Sequence, residues 1–416
     1  MIQQDYSEQN LRRYLYPSDF IKNRKLLNSV LSKSFFDELK DYMKYIDIDG
    51  FPLKNIKIKN KNVYTTTTLH HKLILRRCDS SLKRLFNLKM KNRHSIIDEL
   101  TVFLKESPKY SIIRTDIKSF FESISQCHLL KKLENNKTLS HINFNVILHL
   151  LNTYNTITAN NVGIPRGLEI SSSLSEIALL DFDEKILRNQ NIIYYGRFVD
   201  DIIIITDNPL FFNKIHNTIS PYNLNINKSK SQLITLNTYS EHSTPVSFNY
   251  LGYNFSFPTD HQLSNKKKKK NFRTVVIKIS DNKLKKIKTC ISKSFYAFYK
   301  NNDFDLLIDR LLFLSTNRTL ISEKSKKKIP TGIYFNYSKI NDTSCLKEID
   351  LFLKKTIFSH KIRANKIKAR SFNTLQINKL IKINFENSHK KIIYKSFNAK
   401  RLKEITRIWQ WSIILK

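Results

Sequence analysis

Hydrophobic residues recur along this chain at two spacings, and each spacing predicts a different kind of element. Apolar positions three and four residues apart predict helices, whereas short apolar runs rich in Ile, Tyr and Phe predict strands. Helical spacing occurs before residue 60 and over 95–105, 128–153, 171–188 and 210–219. Strand patterns cover 110–117, 192–205 (as two strands), 231–236 and 247–256. The middle of the chain is therefore predicted to mix helices with short strands.

A polar, lysine-rich stretch interrupts the pattern over residues 258–274. It contains Pro258 and five consecutive lysines, 266–270. Such a stretch predicts an exposed loop at a domain boundary, and a lysine run of this kind is most often a solvated surface. Beyond it, Ser280 and Asp281 can cap a helix that continues to Phe298. The remainder of the chain is predicted to be mostly helical and very basic.

The charge of the chain is strongly positive and unevenly distributed. Lys and Arg number 72 against 35 Asp and Glu, a net charge of +37 over 416 residues. Residues 261–416 hold 38 of the basic and 10 of the acidic residues, a surplus of +28. Codon bias would raise Lys everywhere, but bias alone would not concentrate the excess at one end. Since an unneutralised surplus repels itself, nucleic acid is the predicted partner, ahead of a membrane surface.

The four cysteines, Cys78, Cys127, Cys290 and Cys345, lie far apart and form no Cys-x-x-Cys pair. This spacing excludes a zinc ribbon and argues against a disulfide framework. The first residues do not resemble a signal peptide, and no apolar run approaches the roughly 20 residues that span a bilayer. We therefore expect a reduced, cytoplasmic protein with no membrane partner.

Two short segments place acidic residues at the ends of apolar strands. In residues 114–122 a strand ends in Asp116 just before a predicted helix start. In residues 194–205 the pair Asp200 and Asp201 lies between two apolar, β-forming runs. Adjacent carboxylates in such a setting cost folding free energy, which bound cations would relieve. Oxygen-only ligands suit Mg²⁺, and two ions roughly 3.5–4 Å apart can activate a primer hydroxyl and stabilise leaving pyrophosphate.

Taken alone, Asp200 and Asp201 would be read as two exposed acids in a β-turn. The segment around Asp116, 84 residues upstream of Asp200, and the order of elements between them argue against that reading. We therefore predict that Asp116, Asp200 and Asp201 are the catalytic, metal-binding residues of a nucleotidyl transferase.

These segments resemble the motifs of reverse transcriptases. Residues 114–122 resemble motif A, and 198–201 resemble motif C, with Phe-Val-Asp-Asp in place of the commoner Tyr-x-Asp-Asp. Residues 163–172, between them, resemble motif B. Residues 225–230 and 249–253, after them, resemble motif D and motif E, the primer grip. Motifs D and E are weak individually, but the order and spacing of the whole set, over about 110–255, are specific.

The resemblance implies an α+β fold of the right-hand polymerase type, with a small antiparallel sheet in the palm. The implied domains are N-terminal helices and fingers (1–109), a palm with inserted fingers helices (110–257), the basic loop (258–274), and a helical thumb and nucleic-acid-binding region (275–416). The basic surplus of the last region suits a thumb that grips a duplex backbone.

The resemblance also assigns roles to individual residues. Two Mg²⁺ ions, with Mn²⁺ as the alternative, would be held by the three aspartates and the backbone carbonyl of Ile117. Lys230 would be the motif D lysine that contacts the incoming dNTP. The residues implied to contact template and primer are Arg166, Gly167, Tyr250, Leu251 and Gly252.

Phe121 stands five positions after Asp116, where reverse transcriptases carry a Tyr or Phe under the sugar. A bulky ring there leaves no room for a 2′-hydroxyl and favours deoxynucleotides; the alternative is an ordinary core Phe. Triphosphate binding needs cations from the fingers, and Arg offers a bidentate fork for phosphate. Arg76, Arg77 and Arg93 are the candidates, each equally open to a role on the RNA backbone or at the solvated surface.

Motif B departs from the common Pro-Gln-Gly, because Arg166 stands between Pro165 and Gly167. With the sequence of residues 116–124, this resembles the abortive-infection, defence-associated branch of bacterial reverse transcriptases. The branch implies RNA-directed DNA synthesis in antiphage defence, with dNTPs, a DNA product and a non-coding RNA as template. A second defence protein or a homo-oligomer are further possible partners. The arginine also allows a special template or untemplated addition.

Two other functions remain as alternatives. One is a catalytically silent RNA-binding scaffold or partner subunit, which the intact carboxylates and Phe121 argue against. The other is a protein-primed polymerase that adds DNA to its own Tyr or Ser. Residues 280–416 offer no acidic set typical of RNase H, and the chain lacks both a cysteine-rich nuclease and a Val-Thr-Gly tripeptide. These absences disfavour the retroviral, intron-maturase and retron branches.

Overall fold

The computed structural model describes residues 3–44, 51–58, 60–238, 246–258, 272–322, 327–359 and 372–410. The lysine run 266–270 and most of the predicted basic loop lie outside these residues. Two compact units share the chain. The first unit comprises the described residues of Met1–Phe103 and Pro108–Tyr239, and the second those of Leu104–Ser107, Ser240–Ser322 and Lys326–Lys416.

The first unit mixes helices with strands, as the hydrophobic pattern predicts. Its helices are α1 (Glu8–Arg12), α2 (Pro17–Lys22), α3 (Ser29–Lys44), α4 (Leu69–Leu85), α5 (Arg93–Leu104), α6 (Phe120–Ser123), α7 (Gln126–Glu134), α8 (His141–Thr158), α9 (Ser171–Leu187) and α10 (Phe211–Ile219). Its strands are β1 (Leu53–Ile58), β2 (Lys61–Thr66), β3 (Tyr110–Asp116), β4 (Ile192–Phe198), β5 (Asp201–Thr206) and β6 (Gln232–Leu236).

A four-stranded antiparallel sheet in the order β4-β5-β3-β6 forms the centre of this unit. Its inner strands β3 and β5 are apolar on both faces, because helices cover both sides. Ile202 and Ile204 of β5 pack with Ile177 of α9 in the main core. On the opposite face, the Tyr194 hydroxyl donates to the carbonyl of Ile96 in α5 at 3.2 Å. Burial from both sides holds the ends of β3 and β5 in fixed register.

The antiparallel hairpin of β1 and β2 lies against the segment that carries motif B. The amide of Tyr64 donates to the carbonyl of Arg166 at 2.7 Å. Gly167 adopts a φ of +105°, and a Cβ there would lie 2.5 Å from Cγ1 of Val63 and 2.9 Å from the carbonyl oxygen of Tyr64. Glycine is therefore required both by the backbone conformation and by the close approach of β2.

The second unit contains a three-stranded sheet, a hairpin and a set of helices. The strands are β7 (Val246–Tyr250), β8 (Tyr253–Phe257) and β9 (Val276–Ile279) in one sheet, and β10 (Asn317–Ile321) and β11 (Lys328–Gly332) in the hairpin. The helices are α11 (Asp281–Asn301), α12 (Phe304–Ser315), α13 (Ile333–Asn336), α14 (Ser344–Ile357), α15 (Thr374–Ile381), α16 (Phe385–Lys390) and α17 (Ala399–Gln410). Helices α11, α12 and α14 share one hydrophobic core.

The α+β fold class with small antiparallel sheets is confirmed, and most predicted elements agree with the observed ones to within a few residues. The helix predicted over 128–153 is interrupted, because Ser140 caps a new helix by accepting from the amide of Asn143. The hairpin of β10 and β11 was not predicted, since its strands are short and largely exposed. Among the described residues, no helix is long and apolar enough to span a membrane.

Candidate active site

The three predicted catalytic acids meet at one end of the central sheet. Asp116, the last residue of β3, lies opposite Asp201, the first residue of β5. The amide of Ile117 donates to the carbonyl of Asp200 at 3.2 Å, which ties the end of β3 to the β4–β5 turn. The register of two buried strands therefore brings together acids that are 84 residues apart in sequence.

The turn that carries Asp200 has a strained backbone. Val199 has a φ of +60°, in the left-handed region that β-branched residues rarely adopt. Such a conformation persists only where the surroundings determine it, at a cost of about 1–3 kcal/mol. Here the carbonyl of Val199 accepts a hydrogen bond of 3.0 Å from Nη1 of Arg197.

Arg197 is itself held by two acids of α9. Its side chain is 7% exposed, Nη2 lies 2.7 Å from Oε2 of Glu176, and Nε donates to Oδ1 of Asp183 at 2.9 Å. The hydroxyl of Tyr195 also donates to Asp183. Arg197 thus connects α9 to the turn before Asp200 and is a positioning residue for it.

Burial and mutual repulsion perturb the acids at this end of the sheet. Burial, followed by the charges of Asp200 and Asp116, raises the pKa of Asp201 to about 6. Burial is also the main cause that raises the pKa of Asp200. A group of carboxylates that resist ionisation together is typical of sites that hold cations.

A lysine partly neutralises this cluster. Nζ of Lys230 lies 2.6 Å from Oδ2 of Asp116, and that hydrogen bond is the main cause that raises the pKa of Lys230. Asn227 supports the same acid, because its amide donates to the Asp116 carbonyl at 2.7 Å and its Nδ2 to Oδ2 at 3.3 Å. The structure thus places the Lys230 side chain, which is 57% exposed, at the acids, and adds Asn227, for which no role was predicted.

The chemistry of the donor atoms fits a hard divalent cation, because the available side-chain ligands are carboxylate oxygens. The positions of these side chains, however, do not form a complete metal site. Among the described residues, no three His, Cys, Asp or Glu side chains are arranged as a metal site. Ile117 is buried beside Asp116, but its carbonyl as a ligand stays a prediction.

Phe121 and Arg166 lie together, and Arg166 lines a pocket. The pocket has a volume of about 480 Å³, and its wall includes Lys61, Tyr64, Glu122 and Arg166. The guanidinium carbon of Arg166 lies 4.8 Å from the centre of the Phe121 ring. Nη2 of Arg166 donates to both carboxylate oxygens of Glu122 at 3.1 Å. Glu122 holds the unusual motif B arginine beside the predicted sugar-contacting ring.

The predicted triphosphate-binding arginines have different surroundings. Arg76 is 7% exposed, with Nη1 2.6 Å from Oδ2 of Asp19 and its guanidinium carbon 3.6 Å from the Tyr16 ring centre. Arg77 is 2% exposed and donates to backbone carbonyls of the N-terminal segment. These contacts favour a structural role for both, which sequence could not foresee because the partners lie 57 to 74 residues upstream. Arg93 begins α5 and is half-buried.

The predicted primer-grip residues form the tight turn between β7 and β8 in the second unit. Tyr250 is buried, and Leu251 and Gly252 have φ values of +44° and +82°. The carbonyl of Gly252 accepts from the amide of Ser280, the residue at the N-cap position of α11, whose side chain makes no capping hydrogen bond. The turn is well defined within its own unit, and its contact with primer stays a prediction.

Comparison with known proteins agrees with these motifs. Residues 60–255 match the family model of reverse transcriptase (RNA-dependent DNA polymerase), slightly under half of the chain. A search of curated proteins found no match.

Solved telomerase structures are also similar to the chain, at a low level. Apo telomerase from Candida tropicalis without its C-terminal domain is 15% identical with a TM-score of 0.36, over 53% of this chain and 58% of that one. Telomerase from Candida tropicalis with a TWJ fragment of telomeric RNA is 15% identical with a TM-score of 0.39, over 92% of this chain and 66% of that one. The chain therefore covers less than two thirds of either telomerase.

Proposed function

We propose that the chain is an RNA-directed DNA polymerase in which Asp116, Asp200 and Asp201 carry the nucleotidyl transfer, because residues 60–255 match the reverse transcriptase family model. The observation that supports this most directly is the register of Asp116 with Asp201, together with the hydrogen bond from Ile117 to the carbonyl of Asp200. The carboxylates lie where two buried strands end, so the sheet fixes their positions before any ligand arrives.

The three carboxylates would hold two Mg²⁺ ions, which when bound supply activation of the primer hydroxyl and stabilisation of the leaving pyrophosphate. The raised pKa of Asp201, about 6, reflects negative charge that cations would compensate. Lys230 would have to leave Asp116 when a cation is bound. Its largely exposed side chain allows that movement and would place its ammonium group near the nucleotide phosphates.

Phe121 would select deoxynucleotides. It is partly buried against the core, so the ring cannot easily move aside for a 2′-hydroxyl. Its backbone carbonyl accepts from the amide of Ile164 at 2.8 Å, which fixes α6 to the motif B loop. Arg166 on the ring and Glu122 beyond it would complete that side of the nucleotide pocket.

The biological role we propose is antiphage defence in the cytoplasm, with a non-coding RNA as template. It is supported by the resemblance of residues 116–124 and 165–167 to defence-associated bacterial reverse transcriptases. The surplus of +28 in residues 261–416 supports a stably bound RNA.

The test is incorporation of labelled dNTPs by protein purified with its copurifying RNA. The wild type is compared with Asp200→Asn plus Asp201→Asn, and with Asp207→Asn as a control at an exposed acid just beyond β5. DNA made by the wild type and the control, but not by the double variant, would support the proposal. DNA made equally by all three would contradict it.

A second candidate function is a catalytically silent RNA-binding subunit. The specific observation in its favour is the 2.6 Å contact of Lys230 with Asp116, which occupies a carboxylate that catalysis needs. This candidate predicts RNA bound by the wild type but no DNA made in the assay above. Lys230→Ala distinguishes the two readings further, since freeing Asp116 would not create activity in a silent subunit.

A further inference from the structure

A second polar pocket lies between the N-terminal segment and α4 in the first unit. It has a volume of about 250 Å³, many times the ~30 Å³ that one water takes up in the liquid. Its wall contains three arginines, Arg13, Arg77 and Arg84, with the polar Asn10 and Ser80 beside them. No acidic residue lines it, and none of the three catalytic aspartates belongs to it.

Arg77 is the buried base of this pocket. It is 2% exposed, and its guanidinium donates to the carbonyls of Asp5 (3.0 Å) and Gln3 (2.6 Å) and to the hydroxyl of Ser81 (3.1 Å). These bonds use three of the five N–H groups that an arginine has. Within the described part of the chain, no ion pair joins Arg77 to a carboxylate. A buried cation with only neutral partners costs free energy that an anion would offset.

The nearby acids have other partners. The carboxylate of Asp5 accepts from Nδ2 of Asn10 at 2.6 Å and from the amide of Ser7. Glu8 pairs with Arg12 at 2.6 Å.

The acids of α2 and α4 are likewise paired. Asp19 pairs with Arg76, and Asp79 pairs with Lys83, each at 2.6 Å. The Asp5 carboxylate offsets part of the Arg77 charge through space. Among the described residues, however, none of the three pocket arginines has a carboxylate ion-pair partner, whereas Arg12, Arg76 and Lys83 each have one.

We propose that this pocket, which we call the arginine pocket (Arg13, Arg77, Arg84), binds a backbone phosphate of single-stranded RNA. Guanidinium groups match phosphate oxygens with paired hydrogen bonds, and Arg13 and Arg84 are exposed and so accessible to a long ligand. Ser80 adds a hydroxyl donor at the wall. The site is separate from the proposed nucleotidyl transfer and holds whether or not the carboxylates are active.

The experiment measures binding of a short fluorescein-labelled single-stranded RNA without nucleotides, by anisotropy over a range of salt. Arg13→Gln plus Arg84→Gln is compared with Arg188→Gln plus Lys214→Gln, which removes the same charge from exposed positions elsewhere in the first unit. We expect about tenfold weaker binding for the pocket variant and a log–log salt slope smaller by about 0.7, the value for one phosphate. The control should change affinity by about twofold or less.

A second variant tests the site without removing its arginines. Ser80→Glu places a carboxylate within the arginine pocket and should weaken RNA binding to a similar degree, with the thermal unfolding temperature maintained by the new ion pairs. Equal effects of the pocket and control variants on affinity and slope would overturn the proposal. The proposal would also be overturned if the pocket variant kept its RNA affinity but inorganic phosphate no longer stabilised it against thermal unfolding. That result would assign the pocket to free phosphate ligands.

Discussion

The two parts of this chain differ in net charge and in the partners of their basic side chains. Residues 1–260 carry a net charge of +9, and there the buried Arg197 is matched with Glu176 and Asp183, and the buried Arg76 with Asp19. The last 156 residues carry +28. There the buried Arg310 donates to the Glu404 backbone carbonyl, while the lysines of α11 include exposed ones.

The comparison distinguishes buried arginines that are paired with acids and stabilise the fold from exposed lysines that are available to bind a ligand. A buried arginine with matched acids fixes backbone geometry, as Arg197 does for the turn before Asp200. A surplus of exposed lysines cannot be satisfied within the unit, because too few acids are present. Loss of a buried arginine that is paired with acids is therefore expected to cost structure, and loss of exposed lysines in residues 261–416 to cost affinity for a polyanion.

The largest effect should come from Arg197→Met. Removing the guanidinium leaves Glu176 and Asp183 buried without their partner, which costs about 3–5 kcal/mol of unfolding free energy. It also frees Val199 from its hydrogen bond, so DNA synthesis should be lost. Urea unfolding and dNTP incorporation measure the two effects.

A triple variant separates stability from positioning. Arg197→Met combined with Glu176→Gln and Asp183→Asn removes the unpaired charges and should recover much of the stability. Activity should stay low, because the turn still lacks its donor. Full recovery of DNA synthesis in the folded triple variant would show that Arg197 does not position Asp200.

The second unit should show its charge in the salt dependence of RNA binding. The log–log slope is expected to be steep, with about −0.7 for each phosphate neutralised on a single strand. Lys285→Gln, Lys286→Gln and Lys293→Gln on α11 together should reduce it by about 2. Lys131→Gln, Lys137→Gln and Lys214→Gln remove equal charge from the first unit and serve as the control. A slope near zero for the wild type would contradict a nucleic-acid role for residues 261–416.

Phe121→Ala should let ribonucleotides enter. Loss of the ring should lower discrimination between dATP and ATP by about 1–3 kcal/mol, roughly tenfold or more. Phe212→Ala is the matched control, since it removes a partly buried ring that packs against the same core but lies outside the proposed nucleotide pocket. Unchanged discrimination in Phe121→Ala would remove the steric role of this residue.

The sequence was most informative where local pattern and chemistry coincide. The strands around Asp116 and Asp200 could be predicted because apolar β-forming runs surround both acids, and their pairing follows from the buried register. Glu176 and Asp183 were missed, although acids seven residues apart on one helix share a face and could have indicated a partner for Arg197. Only the three-dimensional structure shows which cation lies opposite them.

The arginines of α4 show the limit of sequence reasoning more clearly. Arg76 and Arg77 are adjacent and basic, and both were predicted to bind triphosphate. One pairs with Asp19 in the interior, and the other donates to backbone carbonyls and a serine and lies over the Tyr14 ring. Their difference depends on how the N-terminal segment folds over α4, a long-range contact that neither composition nor spacing encodes.

The smallest expected effect is the pH dependence of stability that comes from one buried, uncharged histidine. His71 of α4 is 5% exposed, its Nδ1 lies 2.8 Å from Oγ1 of Thr68, and burial lowers its pKa to about 4. The unfolded chain binds a proton here near pH 6.5 and the folded chain does not, so stability is lost as pH falls from 6.5 towards 4. This group alone should cost about 1 kcal/mol between pH 7.5 and pH 5.5. Urea unfolding at both pH values should show this loss of stability for the wild type and for the control His141→Gln, which changes an exposed histidine. His71→Phe should not show it. A loss of the same size in His71→Phe would mean that other groups cause the pH dependence.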